Sequence, residues 1–140
     1  MKRALIASKW ALVALALAGC GSDADYANDP RPPAPINVSA AISTEKVTIS
    51  PGNFGAGPVT FLIANLTDSN QQVTVETRDL SEKAGIKQTS STINPQGTAT
   101  MKLDIKQGAY TVSVSSKGIR PAALKVGGER ESSQDLLLQP

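Results

Sequence analysis

From residue 36 onward, apolar side chains recur at every second position in short runs. Ile36, Val38, Ala40 and Ile42 share one parity, and Val47 and Ile49 follow. Val59, Phe61 and Ile63 alternate with Thr60, Leu62 and Ala64, so both faces of that run are fairly apolar, which predicts a central strand. Val73, Val75 and Thr77 form the next set, then Met101, Leu103 and Ile105, then Tyr110, Val112 and Val114, then Leu124 and Val126. A period of two belongs to strands with one buried face, because successive Cβ atoms point to opposite sides. β-Branched residues, which suit a pleated surface, are abundant in these runs.

Turn chemistry separates the runs: Pro51-Gly52-Asn53, Gly55-Ala56-Gly57-Pro58, Asp68-Ser69-Asn70, Asn94-Pro95-Gln96-Gly97, Gln107-Gly108 and Gly127-Gly128. Seven or eight short strands so spaced predict an all-β sandwich or barrel. One helical turn is expected over 80–84, capped by Asp79 or Ser81. Leu136-Leu137-Leu138 follows a polar stretch. These leucines are expected to pack on the domain, since exposed apolar triplets favour aggregation.

The first 35 residues have a different pattern. Lys2, Arg3 and Lys9 precede a nine-residue uncharged run from Trp10 to Ala18. A basic start followed by a short apolar run is an export signal, and the run falls well short of the ~20 residues that span a bilayer. It ends Leu17-Ala18-Gly19-Cys20, with the chain's one cysteine. This resembles the bacterial lipoprotein lipobox, in which small residues let the chain enter a peptidase cleft. The thiol is the nearby side chain nucleophilic enough to become a diacylglyceryl thioether. The resemblance implies cleavage between Gly19 and Cys20 and at least two acyl chains on Cys20. Two chains anchor stably, at about 0.8 kcal/mol per buried CH₂, where one binds marginally. Residues 20–35 then read as a lipidated start and a tether stiffened by "PRPPAP". Asp23, Asp25 and Asp29 are solvated tether charges without EF-hand spacing.

Cleavage changes the charge. The full chain carries 14 basic and 12 acidic residues. Lys2, Arg3 and Lys9 leave with the signal, which brings the net charge near −1, so the pI of 8.8 belongs largely to the precursor. No basic footprint for nucleic acid remains. With Cys20 acylated, no cysteine is left for a disulfide.

The strand grammar is more specific than that of a generic sandwich. "GPVTF" leading to Asn65, and "PQG" leading through a strand into "GAYTV", resemble the cupredoxin family over roughly residues 36–127, which implies a Greek-key β-sandwich of about seven or eight strands. Immunoglobulin-like sandwiches share part of this grammar and are the alternative. A blue-copper site needs two histidines and a cysteine, usually with a weak axial methionine. This chain contains no histidine. The resemblance sets the first histidine within the stretch 66–71, the cysteine at Val114, the second histidine at Lys117 and the methionine near Ala122. None of these side chains can ligate copper in the family's manner, so the resemblance implies a copper-free member with no cofactor.

Absence of histidine also removes Ser-His-Asp and Cys-His catalysis and the usual zinc sites. "GNFGAG", residues 52–57, precedes a strand run instead of opening a helix, so it reads as a turn and not a phosphate loop. Glu76, Asp79 and Glu82 are the densest carboxylates, without the aromatic platforms of a sugar cleft. Ser81 and Lys83 form a commonplace pair. Asn37-Val38-Ser39 and Asn65-Leu66-Thr67 match a glycosylation pattern but read as polar strand ends. Phe54, in a glycine-rich loop, is a candidate partner contact with core capping as its rival.

The sequence therefore predicts a signal over 1–19, a lipidated tether over 20–35 and a β-sandwich over 36–140. It predicts no catalytic and no metal residue. The expected role is a non-enzymatic lipoprotein, exported and held by Cys20 on the extracytoplasmic side of the membrane, that binds or scaffolds an envelope partner. The alternative is a redox or metal-handling accessory protein of the envelope that uses carboxylates, Met101 or a partner's ligands.

Overall fold

The structure, a computed structural model, describes residues 31–78 and 85–132. The signal, the lipobox, the helical turn expected over 80–84 and Leu136-Leu137-Leu138 lie outside the described residues. Eight strands follow in order: β1 (Ile36–Ile42), β2 (Val47–Ser50), β3 (Asn53–Asn65), β4 (Val73–Thr77), β5 (Lys87–Thr89), β6 (Thr98–Ile105), β7 (Gly108–Val114) and β8 (Ala122–Glu129). No helix occurs among the described residues.

The strands form two sheets that share β3. In the first, β2 pairs antiparallel with β1, β1 parallel with β3 and β3 antiparallel with β6. In the second, the start of β3 runs parallel to β8, followed by antiparallel β7, β4 and β5. The two parallel pairings distinguish this cupredoxin-like sandwich from the antiparallel sheets of an immunoglobulin domain.

The alternation read from the sequence is the alternation of burial. Val38, Ala40 and Ile42 of β1 face inward, as do Val59, Phe61 and Ile63 of β3 and Met101, Leu103 and Ile105 of β6. Val73, Val75, Tyr110, Val112, Leu124 and Val126 meet them from the second sheet in one core. Each large apolar side chain so buried stabilises the fold by about 1.5–3 kcal/mol. Tyr110 keeps its hydroxyl satisfied by donating to the Lys106 carbonyl at 2.8 Å, which ties down the β6–β7 turn.

Two elements show what the alternation alone does not. β3 is central by pairing, between β1 and β6, yet its second face is open and Leu62 is 44% exposed. A strand in a two-layer sandwich has only one core to face, so an apolar second face need not be covered. β5 has three exposed residues and no apolar alternation, which left nothing for periodicity to detect.

Gly55–Pro58 acts not as a turn between strands but as a corner inside β3, where the chain changes sheets. The register shifts between Gly55 and Ala56. Gly57 takes φ +125°, which a Cβ disfavours. A Cβ there would also lie 2.8 Å from Pro33 Cγ. Carbonyls at such a corner leave the regular ladder and need other donors. Arg130 supplies them. Its Nε donates to Gly55 O at 3.1 Å and Ala56 O at 3.2 Å. Its terminal nitrogens donate to Pro58 O and Ala34 O, both at 2.6 Å. The proline-rich stretch therefore meets the domain here, with Pro33 buried.

Arg130→Ala should lower the unfolding free energy by about 2–3 kcal/mol, as expected for charged hydrogen bonds to part-buried carbonyls. Arg130→Lys should recover less than half, because an ammonium lacks the planar fork. Urea unfolding with tryptophan-independent circular dichroism checks both. A change below about 0.5 kcal/mol for the alanine variant, typical of an uninvolved surface site, would mean that the corner holds itself.

Candidate functional site

At the end of the sandwich away from Arg130, four chain segments converge: the 65–71 loop after β3, the 90–97 segment before β6, the 115–121 loop after β7, and the end of β1. Their meeting follows from strand register. Val73 pairs with Val114, and the Ser115 N–H donates to Gln72 O at 3.0 Å one step beyond. Gln71 and Ile93 exchange backbone hydrogen bonds at 3.0 and 2.8 Å. Leu66 N–H donates to Ile42 O at 2.9 Å. The stretch 66–71 and Val114 are thus neighbours, as the cupredoxin resemblance requires.

Buried polar side chains hold this end together. Asn65 is fully buried. Its Nδ2 donates to Ser69 O at 2.8 Å, Asn94 O at 3.0 Å and Ile93 O at 3.1 Å, so two hydrogens serve three carbonyls. Its Oδ1 accepts from Thr67 N at 3.1 Å and Thr67 Oγ1 at 2.7 Å. Such local bonds are what Asn and Thr offer a turning backbone. Asn65 is therefore an interior brace inaccessible to a sugar transferase in the folded domain.

Gln71 is the second brace and is 1% exposed. Its Nε2 donates to Ser116 Oγ at 2.8 Å, Ser69 Oγ at 2.9 Å and Thr67 Oγ1 at 3.3 Å. Its Oε1 accepts from Ser115 Oγ and Ser116 N, both at 3.3 Å. Gln71 thus clasps the loop after β3 to the loop after β7. No buried side-chain nitrogen or oxygen lacks a partner among the described residues. Half-satisfied buried networks are destabilising, so this completeness matters.

The donor set can be tested against the metal that this fold carries in blue-copper proteins. Such a centre takes two imidazoles, a thiolate and a long axial sulfur. Here the same end offers carboxamides and hydroxyls already bonded to one another, the apolar Val114, the exposed Lys117 and Ala122. These residues do not fit blue copper. Among the described residues, no group of three His, Cys, Asp or Glu side chains converges elsewhere either.

Of the other sequence candidates, Phe54 is half-buried and packs on the core, with one edge bordering a shallow depression beside Asn53, Lys125 and Gly127. Glu76 is engaged with Lys87 at 3.3 Å. Asp79, Ser81, Glu82, Lys83 and the pair Gly19–Cys20 lie outside the described residues. Sequence reasoning passed over Gln71 and Arg130. The strongest signal available for Gln71 was its position six residues after Asn65, inside the stretch that the resemblance assigns to the first metal ligand.

Asn65→Ala should cost about 2–4 kcal/mol, since it strands several buried backbone groups at once. Gln71→Ala should cost about 1–3 kcal/mol and speed amide exchange at Ser116 and Thr67 ahead of the core strands. Unfolding titrations and residue-resolved hydrogen exchange check these. Unaltered exchange at Ser116 in the Gln71 variant would show that the clasp does not hold the two loops.

No protein-family profile and no curated protein sequence matches this chain. Among solved structures, it is similar to auracyanin A, a "blue" copper protein from the green thermophilic photosynthetic bacterium Chloroflexus aurantiacus. The TM-score is 0.53 at 13% identity, over 67% of this chain and 100% of that one. Reduced auracyanin from the photosynthetic bacterium Roseiflexus castenholzii aligns over 69% of this chain and 98% of its own, at 10% identity and TM-score 0.48. The auracyanin A likeness bears on the fold alone, and the fold of this domain is that of a cupredoxin.

Proposed function

We propose that this chain is a lipid-anchored bacterial envelope protein whose cupredoxin-like domain has given up copper and serves as a binding module. The observation that carries the reading is the Gln71 clasp. Where a metal centre would join the loops after β3 and β7, a neutral carboxamide joins them by hydrogen bonds to Ser115 and Ser116. A chain without histidine supports the same conclusion. Electron transfer through a blue-copper centre is then not its task. The anchor rests on the lipobox ending at Cys20 behind a basic, apolar start.

Each part has its own measurement. Cys20→Ser should release the protein from the membrane fraction and abolish lipid labelling, and unchanged fractionation would refute the anchor. Titrating the Cys20→Ser chain with copper should give no visible charge-transfer band and no affinity tighter than about 1 mM. Saturable binding below that would restore the metal-handling reading. Native pull-down from envelope extract should recover a specific protein or glycan with the intact domain. Recovery of nothing above a Gln71→Ala, Asn65→Ala unfolded control would count against a binding module.

A further inference from the structure

The charge of the chain is unevenly divided. Residues 31–140 carry eleven Lys and Arg against nine Asp and Glu, a net charge of +2, while Asp23, Asp25 and Asp29 lie in the stretch before them. Two of the cations, Arg78 and Lys125, flank a depression of about 420 Å³ on the outer face of the second sheet. This size lies within the roughly 300–1,000 Å³ of small-ligand sites.

Register fixes the geometry. Lys125 pairs with Ala109 on one side and with Asn53 on the other. Thr77 pairs with Tyr110, and the Arg78 N–H donates to Ala109 O at 2.8 Å one step further on. Arg78, Ala109, Lys125 and Asn53 therefore form one row across four strands, with Tyr110 on the opposite, buried face. Neighbouring strands lie about 4.7–4.9 Å apart, so the Arg78 and Lys125 Cα atoms are roughly 10 Å apart. The methyl group of Ala109 lies between them, and two long cationic side chains can close over it.

Its lining also includes Gly52, Gly108, Ala109 and Ala123, whose small side chains leave room between the longer ones. Two of the described carboxylates are engaged by other cations. Glu76 pairs with Lys87 at 3.3 Å and Asp104 with Lys106 at 3.4 Å. Among the described residues, no ion pair reaches Arg78 or Lys125.

We infer that this depression binds a phosphate group, carried by a lipid headgroup or by a soluble phosphate ester. A phosphate monoester brings about −1.5 to −2 charges, which two facing cations match. A guanidinium grips phosphate oxygens in bidentate fashion, and an ammonium adds a point charge. Gln107, which also lines the depression, supplies a neutral carboxamide donor.

The test uses the Cys20→Ser chain, so that no acyl anchor contributes, and calorimetry with glycerol 3-phosphate and, as a neutral control, glycerol. Co-sedimentation with phosphatidylcholine vesicles, with and without phosphatidic acid, forms the second arm. Glycerol 3-phosphate or phosphatidic-acid vesicles should bind where their neutral counterparts do not. The Arg78→Gln, Lys125→Gln double variant should bind at least tenfold more weakly. The Lys46→Gln, Lys117→Gln variant, which removes the same charge at the Gln71 end, should match the parent. Binding in both arms assigns the site to phosphate from either source, and binding to vesicles alone assigns it to the headgroup. Equal weakening in the two double variants would reduce the effect to net charge and overturn the site. So would no response of either probe up to about 10 mM glycerol 3-phosphate.

Discussion

The sandwich depends on a strand that leaves one sheet for the other, and on one guanidinium that makes the departure tolerable. A corner at Gly55–Pro58 takes backbone carbonyls off their ladders, and buried carbonyls without donors are among the most expensive defects in a fold. Arg130 meets this need with donors in a planar fork, which no other side chain provides. It also reaches Ala34, 96 residues away in sequence, so the first and last described segments are joined at the corner. Glycine is required for the same reason. A Cβ on Gly55 would lie 2.6 Å from Arg130 Cγ, so the arginine and the bare backbone fit only together.

The opposite end is solved with the same physical device and different chemistry. Loops after β3 and β7 must be joined there, and in a copper-carrying relative of the fold a metal can do it through ligands from both. Asn65 and Gln71 do it here with carboxamides that both donate and accept. A neutral clasp of this kind needs neither a deprotonated ligand nor a metal supply, and it has no redox states. Its strength comes from completeness: each buried group in the network has a partner, and the low local dielectric strengthens such bonds as it penalises gaps.

Much of this was legible in the sequence. Period-two alternation located seven of the eight strands and their inward faces, because one-sided burial leaves that mark directly. The resemblance in "GPVTF" and "GAYTV" placed 66–71 beside Val114, and strand pairing does so. What stayed hidden depends on long-range partners. Gly55–Pro58 has turn composition whether it ends a strand or bends one, and only Arg130, 72–75 residues away, tells the two apart. Gln71 has no local signature, since a glutamine in a polar loop is ordinarily exposed. β5 is three polar residues whose strand state comes from pairing with β4. Leu62 and Ala64 pointed to the central place that β3 takes between β1 and β6, but not to the exposure of Leu62, since apolar residues are common on protein surfaces.

A fold keeps its framework while its site changes, and this chain shows where the division falls. The core, the corner and the loop convergence are set by backbone pairing and inward side chains, none of which requires a metal. At the loop end Gln71 joins the loops after β3 and β7 beside the Val73–Val114 pair. An outer sheet face carries residues that the core does not need. The second sheet has small side chains at Ala109 and Ala123 and cations beside them, so its outer surface varies independently of the inward set that fixes the fold. Binding to that face would leave both braces untouched, which separates what holds this domain together from what it recognises.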